Sequence, residues 1–246
     1  MMKIDVGLIG RGKWGLKLKS KLIKNSNLKF VCGKKNNYSK LIRENNINWV
    51  FVATPNNTHY NIVKKCLKLN VNVFCEKPLT ESYLSSKKLF NLANKNKVKL
   101  FVSDVYSFHN KKINKLKSNN IIYRSKKVAG KDVEFLNRFL YHDISILYKL
   151  IKQRKIESLQ LNKNIKEKLI DLKIKFKNYK QISFKYNLNS KQKKHYINNT
   201  NLLTKKDILK KMIFNVMYKK NNIKNNNDKA LFILKFINSI KQRVKQ

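Results

Sequence analysis

The stretch Lys3-Ile4-Asp5-Val6-Gly7-Leu8-Ile9-Gly10-Arg11-Gly12-Lys13-Trp14-Gly15 decides the fold. An apolar run from Ile4 to Ile9, broken only by Asp5, enters a glycine turn, and a helical period follows from Trp14 to Lys24. A strand, a GxGxxG turn and a helix in that order form a dinucleotide-binding fingerprint. Gly10 makes the tight turn, Gly12 lets a pyrophosphate approach the backbone, and Gly15 lets helix and strand pack closely. The amides at the start of the helix then face the phosphates. Arg11, Lys13 and Trp14 lie between these glycines and share the candidate cofactor site.

Outward from this motif, strand and helix signals alternate. Leu28–Cys32, Trp49–Ala53, Val71–Cys75 and Leu100–Val105 read as strands, and Tyr38–Asn45, Thr58–Leu69 and Ser82–Lys95 as helices. Apolar strands alternating with amphipathic helices predict α/β architecture, a parallel sheet with helices on both faces. After Phe108 the texture changes. Lys126–Gly130 reads as a loop and Phe135–Ile151 as a helix with a wide apolar face. Ile156–Asn162, Leu169–Lys177, Gln181–Asn187 and His195–Leu202 then alternate with period two, as in an antiparallel sheet with one buried face. A polar stretch, Lys219–Asn227, precedes a last amphipathic helix from Asp228 to about Val244. The expected organisation is an N-terminal Rossmann domain over 1–118 and a smaller, shortened C-terminal α+β domain with an antiparallel sheet over 119–246.

Composition narrows the function classes. The 246 residues carry 57 Lys+Arg against 13 Asp+Glu, a formal net charge of +44. Charge alone points to nucleic acid, but the lysines are spread over every segment beside abundant Asn and Ile. No zinc finger, helix-turn-helix or aromatic-stacking motif accompanies them. The charge therefore reads as a drifted surface that attracts polyanions without specificity, and no specific nucleic-acid partner is expected. Cys32, Cys66 and Cys75 form no CxxC pair and have no His at metal-ligand spacing, so they read as buried thiols and no metal is expected. No run approaches the ~20 apolar residues of a membrane span, and a cytoplasmic protein is the expectation.

Two further motifs complete the candidate site. Val52-Ala53-Thr54-Pro55-Asn56-Asn57-Thr58-His59 follows the third strand, and Cys75-Glu76-Lys77-Pro78-Leu79 follows the fourth. Both fall at the strand edge where α/β sheets bind ligands. Asn57 can cap the following helix, which leaves His59 either a helix-start residue or a cofactor contact. Where a carboxylate for the adenosine ribose is usual, the sequence reads Gly33-Lys34-Lys35. Lys34 or Lys35 could instead pair with a 2′-phosphate, which favours NADP over NAD.

The glycine fingerprint, the ATPxxxH-like segment and EKP, at these spacings, resemble the Gfo/Idh/MocA oxidoreductases over roughly residues 3–110. The resemblance implies cofactor contacts from the glycine loop, Thr54, Pro55, Asn56, His59, Glu76 and Lys77, while on its own residues Glu76 reads as structural, with a carboxylate that could hold Lys77 in place. It also implies that Lys77 reaches nicotinamide and substrate hydroxyl. His142-Asp143-Ile144-Ser145 looks like the family's catalytic histidine segment, which makes His142 the general base; imidazole suits that work because it titrates near neutrality. On its own residues His142 also fits a histidine settled between apolar helix faces. The family's aspartate four residues earlier is Arg138 here, a cation that lowers the pKa of a histidine one turn away. Arg138 then binds an anionic substrate group, alters the proton relay, or marks lost catalysis. The implied activity is hydride transfer with a sugar or polyol substrate, in a homo-oligomer, dimer or tetramer. The alternative is a silent member that senses or scaffolds.

Overall fold

Residues 3–109, 115–128, 136–177, 180–204, 206–219 and 223–244 are described by the computed structural model, without the side chains of 136, 137, 223 and 224. The first half alternates β1 (Asp5–Ile9), α1 (Lys13–Asn25), β2 (Asn27–Cys32), α2 (Tyr38–Glu44), β3 (Trp49–Val52), α3 (Asn56–Lys68), β4 (Asn72–Cys75), α4 (Tyr83–Lys95) and β5 (Leu100–Val102). The strands pair in the order β2-β1-β3-β4-β5, all parallel. The order reverses between β1 and β3, which opens a crevice outside their carboxyl ends. Every residue of β3 is buried, as a central parallel strand covered on both faces requires. Leu100–Val105 is shorter than expected: β5 stops at Val102, and a 3₁₀ turn runs over Val105–Phe108.

The second half contains β6 (Asn119–Ser125), a π-helical turn (Leu136–Leu140), α5 (Tyr141–Ile151), β7 (Ile156–Asn164), β8 (Leu169–Phe176), β9 (Gln181–Asn187), β10 (Lys194–Ile197), β11 (Thr200–Asn201), α6 (Ile208–Tyr218) and α7 (Ile223–Val244). The second sheet has the order β11-β10-β6-β9-β8-β7. It is antiparallel except for the parallel pair β6–β9. On β8 the even residues Ile170, Leu172, Ile174 and Phe176 are buried, the alternation read from the sequence.

Several expectations are corrected. His195–Leu202 is a hairpin of β10 and β11 rather than one strand. The single helix expected over Phe135–Ile151 is a π turn followed by an α-helix, with Phe135 outside the described residues. Of the Lys126–Gly130 loop and the Lys219–Asn227 stretch, residues 129, 130 and 220–222 also lie outside them. Helix α7 begins at Ile223, inside that polar stretch.

The chain does not divide once at 118. Met1–Phe108 and Asp207–Leu234 form one compact unit, and His109–Lys206 with Lys235–Gln246 form the other. The cause is the apolar face of α6. Leu209, Met212, Ile213, Val216 and Met217 pack with Val6, Leu8, Trp49, Phe51, Phe74 and Phe101 to cover one face of the parallel sheet. The opposite face is packed by Val63, Cys66 and Leu67 of α3 and Leu89 and Ala93 of α4. Cys32, Cys66 and Cys75 are free and buried. Early in α7, Asn226 accepts from Val102 N at 2.9 Å and donates to Val102 O at 3.0 Å, closing the open edge of β5. Lys229 pairs with Asp104 at 2.6 Å, and both are buried.

Candidate functional site

In the first unit, three loops leave the carboxyl ends of β1, β3 and β4, on the edge where the strand order reverses. Gly10 has φ +125°, and a Cβ there would lie 2.2 Å from the carbonyl oxygen of Ala53. A Cβ on Gly15 would lie 2.1 Å from Gly10 O. These glycines let the β1 loop, the β3 end and α1 pack backbone to backbone. Gly12 differs: a Cβ there meets nothing within 4 Å, so the loop presents bare backbone to open space. Gly12 is also the N-cap of α1 and makes no side-chain cap, leaving the first-turn amides directed outward. Bare backbone beside a helix N-terminus suits a pyrophosphate.

The other two loops are locked together by His59. Its ring is fully buried, with Nδ1 2.9 Å from Pro78 O and Nε2 2.9 Å from Thr54 O. Burial pushes its pKa down, against the pull of these carbonyls on a protonated ring. Both ring nitrogens lie at hydrogen-bond distance from backbone carbonyls, so His59 ties the β3 and β4 loops together. The expected cap by Asn57 is also corrected. Helix α3 begins at Asn56 with Pro55 at the N-cap, and Thr58 Oγ1 lies 2.7 Å from both Thr54 Oγ1 and Pro55 O.

Glu76 follows β4 and is buried. Burial pushes its pKa up, opposed by bonds from the Trp14 indole and Ser103 and by the charge of Lys77. Trp14 thereby links the glycine loop to the EKP segment. Glu76 Oε1 is buried with no hydrogen-bond partner among the described residues, an acceptor fitted to a donor on a bound ligand. Lys77 is half-buried, and its bond to Pro78 is cis. After β2, Lys34 and Lys35 are exposed, and Arg11 crosses the strand end with Nη2 donating to Val31 O at 2.9 Å.

The first unit thus gathers the glycine loop, Thr54, Pro55, Asn56, Glu76 and Lys77 on one sheet edge. The family profile described as "Oxidoreductase family, NAD-binding Rossmann fold" matches residues 17–104. Within this unit, residues 17–104 are thus similar to the Gfo/Idh/MocA oxidoreductases. An uncharacterized oxidoreductase of Schizosaccharomyces pombe is 38% identical over 63 residues, 26% of this chain and 17% of that protein. The chain thus aligns with about a sixth of the length of that relative. Among solved structures, UDP-N-acetylglucosamine 3-dehydrogenase GnnA from Acidithiobacillus ferrooxidans aligns with a TM-score of 0.79 at 13% identity, covering 99% of this chain and 98% of that one. GenD2 from gentamicin A biosynthesis, solved in complex with NAD, aligns with a TM-score of 0.78 at 11% identity, covering 100% and 95%. At these identities the likeness is one of fold.

The second unit carries His142 and Arg138. His142 is half-buried in the first turn of α5. Arg138 is exposed in the π turn before it, its guanidinium 5.5 Å from the Phe139 ring centre. Sequence reading missed what holds this segment. Asp143, fully buried, lies 2.6 Å from Arg124 Nη2 and 2.9 Å from His195 Nε2, and accepts from Tyr186 Oη at 2.9 Å. Burial pushes the Asp143 carboxyl up, but Arg124 and the bonds from His195 and Tyr186 prevail and hold it down. Burial also lowers the pKa of His195, against the pull of Asp143. Strands β6, β9 and β10 each send one side chain to the residue beside His142. No local pattern in the sequence pointed to this, because the partners of Asp143 lie 19 to 52 positions away.

Proposed function

We propose that the chain is an NAD(P)-dependent oxidoreductase acting on a secondary hydroxyl or ketone of a sugar, polyol or sugar derivative. The observation that carries this reading is the convergence of the bare Gly12 backbone, the α1 amides and the unpartnered Glu76 Oε1 on one sheet edge. A nicotinamide dinucleotide held there supplies the hydride chemistry. The glycine loop and α1 amides hold its pyrophosphate, while Thr54, Pro55, Asn56 and Glu76 line the same edge. His59 keeps two of these loops in register.

Lys77 orients and polarises the substrate hydroxyl, and His142 takes its proton at an imidazole nitrogen. These two roles rest on the family resemblance. Arg138, one turn before His142, favours a substrate with an anionic group, and the fold shared with a dehydrogenase of a nucleotide sugar supports the sugar class. A second reading, a binding protein without turnover, is favoured by Arg138 standing where the family carries an aspartate. NADP is preferred to NAD because Gly33-Lys34-Lys35 offers cations and no carboxylate. The reading includes a homo-oligomer, to be checked by light scattering.

Fluorescence titration with NADPH and NADH, followed by a turnover screen over sugars and nucleotide sugars, tests the proposal. Binding with turnover is expected. Binding without turnover establishes the second reading, and no binding of either nucleotide removes both.

A further inference from the structure

We propose that Arg11 selects the 2′-phosphate of NADP, its guanidinium receiving that phosphate at the carboxyl end of β2. This inference rests on the dinucleotide reading above and names the residue that sets its cofactor choice. In NAD-selective doubly wound sites, a carboxylate at the end of the second strand grips the ribose 2′-hydroxyl; where NADP is selected, an arginine accommodates the phosphate. Here that strand end is Gly33, which has no side chain, and the room beside it is taken from across the sheet. A Cβ on Gly33 would lie 3.5 Å from Arg11 Cδ and 3.9 Å from its Nε. Arg11 therefore lies alongside the strand end where the carboxylate of an NAD-selective chain would begin.

Its orientation is fixed by one bond, Nη2 to Val31 O at 2.9 Å. No other hydrogen bond of its guanidinium occurs among the described residues, so most of its five N–H donors remain for a ligand. A planar fork anchored at one corner meets a phosphate with two parallel bonds, which an ammonium cannot do. Burial pushes the Cys32 thiol up to about 11, with the charge of Arg11 pulling the other way, so that charge is felt at the strand end. Lys34 and Lys35 are exposed, in the turn closed by Gly33 N donating to Asn36 Oδ1 at 2.9 Å. Among the described residues neither ammonium has a hydrogen bond or ion pair to place it. They add positive charge without fixed geometry.

A chain of net charge +44 attracts any anion, so the test must separate the position of a phosphate from its charge. Calorimetric titration with 2′,5′-ADP, 3′,5′-ADP and 5′-ADP does this, because the first two carry the same charge in different places. The parent protein is expected to bind 2′,5′-ADP about tenfold more tightly than 3′,5′-ADP, a difference of about 1.4 kcal/mol. Arg11→Ala should remove that difference, and the Lys34→Ala/Lys35→Ala pair should keep most of it while weakening both ligands. Gly33→Asp should lower the preference by placing a carboxylate beside Arg11. Circular dichroism confirms that each variant is folded, as expected for the exposed Arg11, Lys34 and Lys35 and the partly exposed Gly33. A preference lost in the lysine pair but kept in Arg11→Ala overturns the assignment and leaves NADP selectivity standing. Equal binding of 2′,5′-ADP and 3′,5′-ADP by the parent, with 5′-ADP still bound, overturns the assignment and NADP selectivity together. Failure of all three ligands to bind overturns the dinucleotide reading itself.

Discussion

The three glycines of the fingerprint do different work, and substitution should separate it. Gly15→Ala forces a methyl group against the Gly10 carbonyl and should cost about 1–3 kcal/mol of stability, seen as a lower thermal midpoint. Gly12→Ala adds a methyl to open space at an ordinary φ of −69°, so stability should change by less than about 0.5 kcal/mol. NADPH affinity should nevertheless fall sharply, because the backbone can no longer be approached. The buried histidines set a pH response. His59 and His195 both have folded pKa values pushed below the ordinary value of about 6.5, so the unfolded chain binds more protons below that pH. Stability is full above about pH 6.5 and falls on acidification toward the folded values, which urea midpoints at pH 7 and pH 5 would show. Asp143, held low, adds a second loss below about pH 4. Glu76, held high, gains stability on acidification at higher pH, down to about pH 4.5, and so offsets part of the histidine loss. The motif residues were legible because their chemistry demands particular side chains at short spacing. The roles of His59 and Asp143 were not, since their partners come from other loops and strands.

At the scale of elements, legibility followed the apolar pattern. The strands of the first sheet are runs of Val, Ile and Phe buried on both faces and are plain in the sequence. β6 was hidden because its inward residues are Asn120, Ile122 and Arg124. Two of those three are polar, buried only because Asn120 bonds Lys117 O and Gln181 O and Arg124 meets Asp143. The period-two signal therefore vanishes at the strand that makes the parallel pair. α6 has a readable pattern: Asp207 caps it through Lys210 N, and Leu209, Met212, Ile213 and Val216 share one face. Its destination in the first unit is a tertiary fact that no local pattern carries. Truncating that face should therefore weaken the Rossmann unit. Ile213→Ala, at a fully buried position, should cost about 2–5 kcal/mol in chemical unfolding, and NADPH binding should persist until the unit melts.

For the whole molecule, the charge is the dominant physical parameter. Self-repulsion at +44 opposes compactness, so the thermal midpoint should rise as salt is raised from about 0.05 to about 0.5 M and the charges are screened. Any DNA binding should be independent of sequence and should collapse over the same range, as counterion release requires. Sequence-selective binding at physiological salt would instead assign the lysines a recognition role. No helix among the described residues is long and apolar enough to cross a membrane. The return of Asp207–Leu234 to the first unit has a consequence for synthesis. A ribosome delivers β1 to β5 about a hundred residues before α6. During that interval Val6, Leu8, Phe51, Phe74 and Phe101 lack their α6 cover, and chains exposing such surface aggregate. The nascent Rossmann half must wait for its own C-terminal segment, and a fragment ending near residue 118 should emerge from cells insoluble or chaperone-bound.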